Sequence, residues 1–319
     1  MFKDKRILIT GGTGSWGNEL TTQLLNFSPK EIRIFSRNEF AQVSMERQFN
    51  NKILNFMIGD IRDLDSLMDA SRDIDYIFHL AALKHIPICE RFPMETVKTN
   101  IMGTKNVIES AIKNKVKKVV DVSSDKAVSP LNLYGMTKAI GEKLFVHANL
   151  QSKDTKFLCI RGGNVLGSSG SVVPNFIGQI LTENKIKITD NRMTRYFLTL
   201  EDAIKLLFVA IIKEDCSGVY VMKMPSCKIL DLALVLKEVN GNDDTKIKET
   251  GIRQGEKLHE VLISEHEAEY TYECGENYYF ISFVHSNNGK VLFEEYNSNQ
   301  NLMNKDQIKD MLIRGKFIE

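Results

Sequence analysis

The chain has 319 residues, 43% hydrophobic and 26% charged, enough apolar material for a large core and a division into two lobes. A formal net charge of +1 and a sequence pI near 7.6 exclude an electrostatic case for nucleic acid or an anionic membrane as partner, since both select for a strong excess of Lys and Arg. Five cysteines, Cys89, Cys159, Cys216, Cys227 and Cys274, stand without a CxxC pair, so no zinc site or disulfide framework is expected and a reducing cytoplasm fits best.

The first segment, "MFKDKRILITGG", passes from charge straight into a strand-like run, without the apolar core and small-residue cleavage site of a signal peptide. The most apolar stretch, "AIKLLFVAII" from Ala203, is shorter than the roughly 20 residues a bilayer requires. Neither a targeting segment nor a membrane span is expected. Short runs rich in β-branched residues then alternate with helix-period segments: "RILIT", "IRIFS", "NFMIG", "YIFHLAA", "KKVVDVSS" and "KFLCIRG". Strands apolar on both faces, in βαβα order, predict a doubly wound α/β fold with a parallel sheet covered by helices. This first lobe is expected to cover residues 1–163. A loop-rich stretch, "NVLGSSGSVVPNF", opens a smaller second lobe over 164–319. One return to the first lobe, about 195–225, is expected from the helix pattern of "LEDAIKLLFVAIIK" and the strand-like "GVYVMKM". The chain ends in a polar, uneven tail and a short helix, "KDQIKDMLI".

Gly11, Gly14 and Gly17 form GxxGxxG between a strand and a helix, where backbone can approach a pyrophosphate and the first helical amides can receive it. Ser36 and Arg37 end the second strand. An acidic residue there would pair with the ribose hydroxyls of NAD; an arginine suits the 2′-phosphate of NADP, which is therefore the expected cofactor. Asp60 and Ile61 follow the third strand and suit the adenine edge, while Ala81 and Ala82 follow the fourth and suit close packing against the cofactor. The full expected cofactor set is Gly11, Thr13, Gly14, Ser15, Trp16, Gly17, Ser36, Arg37, Asp60, Ile61, Ala81, Ala82, Lys84, Asn100, Ser123, Tyr134 and Lys138.

After the fifth strand comes "SSDKAVSPLNLYGMTK". Tyr134 and Lys138, at i and i+4, share a helix face, and an ammonium there favours the phenolate that could take an alcohol's proton. A simple dehydrogenase has no use for the neighbouring Asp125 and Lys126. A dehydratase acting through a ketone does: one group removes the proton beside the carbonyl and another protonates the departing hydroxyl.

These stretches, with "IGDIRD", "AALKHIP", "KTNIMGTKNVI", "GSVVPNF", "MTRYFLTLEDA" and "GIRQGEKLHE", resemble the extended short-chain dehydrogenases/reductases, and among them the inverting UDP-N-acetylglucosamine 4,6-dehydratases (5-epimerases) of flagellin-glycosylation and capsule pathways. The resemblance runs from the start to about residue 265. It implies Asp125 as acid, Lys126 as base and Tyr134 with Lys138 as the redox pair. It also implies Lys84, Asn164, Val173, Arg253 and Glu256 around a UDP-sugar, UDP-N-acetylglucosamine as substrate, and a homo-oligomer. The chain departs from the family at Gly162, where an aromatic is common, at Ser124 for threonine and at Ser169 for arginine.

Two other functions share part of this pattern. A UDP-sugar 4-epimerase needs Tyr134 and Lys138 but not Asp125 and Lys126; a non-catalytic NADP-binding regulator needs none of the four. His259, Glu260 and His266 lack the HExxH spacing of zinc sites, and no metal is expected. His79 and His85 fit core or pocket equally.

Overall fold

The computed structural model describes residues 1–167, 171–213, 218–282 and 290–319. Ser169 and Cys216 lie outside the described residues. Six parallel strands, β1 (Arg6–Thr10), β2 (Glu31–Ser36), β3 (Leu54–Ile58), β4 (Tyr76–His79), β5 (Lys118–Val122) and β6 (Lys156–Arg161), stand in the order β3-β2-β1-β4-β5-β6. Apolar runs alternating with helices suit this parallel order, because each connecting helix can bury its apolar stripe on the sheet. The order reverses between β1 and β4, and the carboxyl ends of the strands open a crevice there.

The sheet continues past β6 with Gly218–Met222, which is parallel to it. It then gains two antiparallel strands, Tyr278–Ser282 and Thr271–Cys274. Of the stretch 195–225 read as a return to the first lobe, the helix Leu200–Ile211 and the strand Gly218–Met222 do pack on the large sheet, whereas Thr194–Leu198 pairs with Asn164–Val165 and Ser226–Lys228 in a small sheet. The hairpin 271–282, which the sequence reading assigns to the second lobe, adds to the first through aromatic packing of Tyr220 against Tyr278 and Phe280.

The second lobe has its own core, in which Val173, Phe176 and Ile180 of the helix Val172–Glu183 pack with Leu232 and Leu236 and with Ile308 and Leu312. Among the described residues, no helix is long and apolar enough to cross a membrane and no cluster of His, Cys, Asp and Glu is arranged for a metal.

Candidate active site

A cavity of about 530 Å³ opens at the crevice, with the glycine turn on one side and the second lobe on the other. Gly11, Gly14, Ser15 and Trp16 line it, together with Ala81, Ala82, Lys84, Ser123, Tyr134 and Lys138. Gly17 does not face the cavity. A Cβ on it would sit 2.1 Å from the carbonyl oxygen of Gly12, so only glycine lets the helix Ser15–Leu25 start this close to the turn. Asn100 is also turned away. It lies in a π-helical turn, Lys98–Met102, and clamps Leu83 by accepting from its N–H (2.8 Å) and donating to its carbonyl (2.8 Å). Its role is to hold the Ala81–Lys84 wall in place.

A second cavity, about 200 Å³, continues from Gly11 and Thr13 to Ser36, Arg37, Asp60 and Ile61. Both oxygens of Asp60 accept from Arg62, at 2.9 Å from its N–H and 2.8 Å from Nε, and Arg37 Nη1 stands 3.6 Å from the same carboxylate. Burial works to raise the Asp60 pKa, but the hydrogen bonds from Arg62 outweigh it and keep the group ionised. Asp60 is thus tied to two arginines on the floor of this cavity, and the Arg37 side chain is half exposed. The close approach at the glycine turn and the run of backbone walls fit a dinucleotide.

Tyr134 and Lys138 enter on the helix Leu133–Ala148, whose first turn is capped by Asn132 accepting from Gly135 N–H at 2.9 Å. A Cβ on Gly135 would lie 2.1 Å from the carbonyl oxygen of Lys126, so glycine sets how near the tyrosine's helix comes to the Asp125–Ala127 turn. Lys138 is buried, and its Nζ reaches both oxygens of Asp121 on β5 at 3.2 and 3.3 Å. Burial would lower its pKa, yet Asp121 and Tyr134 outweigh that and hold it as ammonium. The lysine that shares a face with Tyr134 is therefore anchored from below by a carboxylate that sequence reading missed.

Asp121 belongs to a polar row. Thr10, His79, Asp121 and Cys159 are register partners across β1, β4, β5 and β6, so they project from the same face of the sheet. His79 is in the core, 2% exposed, while His85 lines the main cavity.

Asp125 and Lys126 form a contact of 3.1 Å between Oδ1 and Nζ. Lys126 faces the cavity; Asp125 lies behind it, fully buried, also accepting from the Ser124 hydroxyl at 2.8 Å, and its Oδ2 has no partner among the described residues. Lys126 Nζ is also 3.5 Å from Asn164 Oδ1 and 3.8 Å from Glu260 Oε1. Burial favours the neutral amine, but Asp125 and Glu260 together outweigh it and raise the lysine's pKa.

On the side of the second lobe, Asn164 borders both the main cavity and a third, about 130 Å³, which Glu256, Lys257, Arg195 and Glu260 also line. Val173 is buried in the second lobe's core, and Arg253 is largely exposed, 4.0 Å from Glu256. Gly162 does not line the cavity; a Cβ there would meet Met222 Sδ at 3.1 Å, so methionine occupies the space beside it. Arg195 and Glu260 sit within the quoted "MTRYFLTLEDA" and "GIRQGEKLHE"; in the sequence, Glu260 is weighed only against metal binding and Arg195 is assigned no role. Charged residues next to apolar ones at strand ends were the available signal.

A Rossmann sheet with a dinucleotide crevice, a YxxxK helix and a second lobe closing over it defines an extended short-chain dehydrogenase/reductase that modifies nucleotide sugars. The family described as polysaccharide biosynthesis protein matches residues 7–282, and the chain belongs to it. It is 47% identical over 287 residues to the UDP-N-acetylglucosamine 4,6-dehydratase (inverting) of Campylobacter jejuni, covering 88% of this chain and 84% of that one. It is 40% identical over 336 residues to the UDP-glucose 4-epimerase of Rickettsia felis, covering 100% and 98%. Among solved structures, Pen from Bacillus thuringiensis superposes with a TM-score of 0.94 at 38% identity, with both chains fully covered.

Proposed function

We propose that this protein is an NADP-dependent UDP-N-acetylglucosamine 4,6-dehydratase that inverts carbon 5, yielding UDP-2-acetamido-2,6-dideoxy-β-L-arabino-hex-4-ulose for a bacterial surface glycan. The observation that carries the reading is a second acid/base pair: Lys126, joined to Asp125, borders the same cavity as Tyr134 and Lys138. An epimerase needs only one pair. NADP is preferred over NAD because Arg37 borders the cavity beyond the glycine turn with no acidic residue beside it in the Ser36–Asn38 segment.

The cofactor, when bound, supplies the hydride acceptor for carbon 4 and the donor for carbon 6. Tyr134 takes the proton of the 4-hydroxyl, with the Lys138 ammonium, fixed on Asp121, stabilising the phenolate. The 4-ketone acidifies the proton on carbon 5. Transfer of one proton across the 3.1 Å contact converts the ion pair into a carboxylic acid and an amine. Lys126 then takes the carbon 5 proton, Asp125 gives its own to the departing 6-hydroxyl, and water leaves. Protonation of carbon 5 from the opposite face completes the inversion. Asn164 and Glu256 border the sugar nucleotide's side, and Arg253 suits a diphosphate because its fork binds two oxygens at once.

The test is incubation of the enzyme with UDP-N-acetylglucosamine in D₂O, followed by NMR. The expected product is the L-arabino 4-keto sugar with deuterium at carbon 5. Lys126→Ala and Asp125→Asn should stall at the 4-keto stage with absorbance rising near 340 nm, and Tyr134→Phe should not reach it. A 4-epimer as sole product would overturn the reading, as would a D-xylo product formed from the outset for its stereochemical half.

A further inference from the structure

Glu260 is 3% exposed, an unusual place for a carboxylate, since removing one from water is costly unless it is paired. Its backbone is tied by Ser298, whose hydroxyl oxygen accepts from Glu260 N–H at 2.9 Å and whose N–H donates to Glu260 O at 2.8 Å. The side chain is thereby aimed at the catalytic turn. Oε1 lies 3.4 Å from Arg195 Nε and 3.8 Å from Lys126 Nζ, and Oε2 has no partner among the described residues. Arg195 is held in turn by the carbonyls of Thr194, Leu258 and Lys257, at 2.6, 3.2 and 2.9 Å, so the pair is rigid.

The purpose of this arrangement follows from the charges around Lys126. Asp125 faces it from its own turn, Arg195 from the strand Thr194–Leu198, and Lys257 and Glu260 from the segment that closes the third cavity. Without Glu260, the lysine would face two cations and one carboxylate. With it, the charges balance. We propose that Glu260 is a positioning residue acting through Lys126: by neutralising Arg195 and placing a second carboxylate near Nζ, it sets the proton affinity of the base that works at carbon 5. This extends the dehydratase reading and rests on it for the link to carbon 5. A lysine flanked by two carboxylates holds a captured proton firmly, and its raised pKa agrees with that.

One test is independent of any substrate. Acetylation of Lys126 by acetic anhydride, followed across pH by peptide mass mapping with exposed lysines as internal references, reads the fraction of neutral amine. Glu260→Gln should displace the rising limb toward lower pH by about one unit, giving several-fold faster labelling at a fixed pH on that limb, because the loss of a nearby opposite charge shifts a pKa on this scale. Glu260→Asp, which keeps the charge, should stay near the parent protein. Deuterium exchange at carbon 5, normalised to the NADPH formed in the same sample, should show the same displacement. Coincident labelling limbs in Glu260→Gln and parent, or equal displacement in Glu260→Asp, would overturn the assignment to charge. Displaced labelling with no displacement of carbon 5 exchange would overturn the link to the reaction. A parent enzyme that oxidises carbon 4 but never exchanges carbon 5 defeats the dehydratase reading instead, leaving the labelling result to stand by itself.

Discussion

Acidification should destabilise this fold through His79 in a way that can be isolated. The ring is buried, stacked parallel to Phe145, and bonded at both nitrogens: Nδ1 to Thr10 Oγ1 at 2.7 Å and Nε2 to Thr104 Oγ1 at 3.2 Å. Thr104 donates its hydroxyl to Asn100 O at 2.7 Å, so it can only accept from His79. The proton therefore sits on Nε2, and Nδ1 accepts from Thr10. A second proton would displace that hydrogen bond and place a charge in the core. Burial is the main reason its pKa falls from 6.5 to about 4, with Asp121 opposing the fall and Lys138 adding to it. Between those values the unfolded chain binds a proton that the folded one refuses, so stability rises with pH across this window and is lost as pH falls through it. From about pH 7 to about pH 4.5 the loss is on the order of 2 kcal/mol, and it approaches roughly 3 kcal/mol below pH 4. Urea unfolding of the parent protein and His79→Gln, each at both pH values, measures it. The variant will be weaker at neutral pH because the site is packed, but the parent should lose about 2 kcal/mol more than the variant on acidification, since carboxylate titrations common to both cancel. Equal losses in the two proteins would refute the reasoning.

Lys138→Met should leave the Asp121 carboxylate buried and unpaired, at a cost of about 3–5 kcal/mol, and the double variant Asp121→Asn/Lys138→Met should recover much of it; urea midpoints of the two singles and the double decide, and a double no better than the lysine variant would mean that the pair is not what holds the site. Arg37→Ala should weaken NADP(H) by about 1.5–3 kcal/mol and leave NAD(H) nearly unchanged, the scale of a hydrogen bond to a charged group. The only tryptophan in the chain, Trp16, lines the main cavity and offers a fluorescence signal for both cofactors. Equal losses for the two would remove Arg37 from the 2′-phosphate site.

The sequence by itself determined the elements and their class. Short β-branched runs apolar on both faces, set in βα alternation, suit central strands of a parallel sheet, which is why "RILIT" and "KFLCIRG" mark β1 and β6 to within a residue. The glycine turn and the Tyr134/Lys138 spacing were readable too, because each is a local pattern within one turn or one helix. Tertiary structure decided the partners. Thr10 and His79 are 69 residues apart and meet because β1 and β4 are neighbours in the sheet; Lys138 finds Asp121 because its helix packs on β6, the strand beside β5. The hairpin 271–282 follows no βα rhythm, and its place is set by the free edge that Gly218–Met222 offers. Asp125 and Lys126 were legible as a pair, but the placement of Glu260 and Arg195 beside Lys126 was not. Chain periodicity carries information over a few residues, whereas the proton affinity of a lysine such as Lys126 depends on every charge that folding brings within a few ångströms of it.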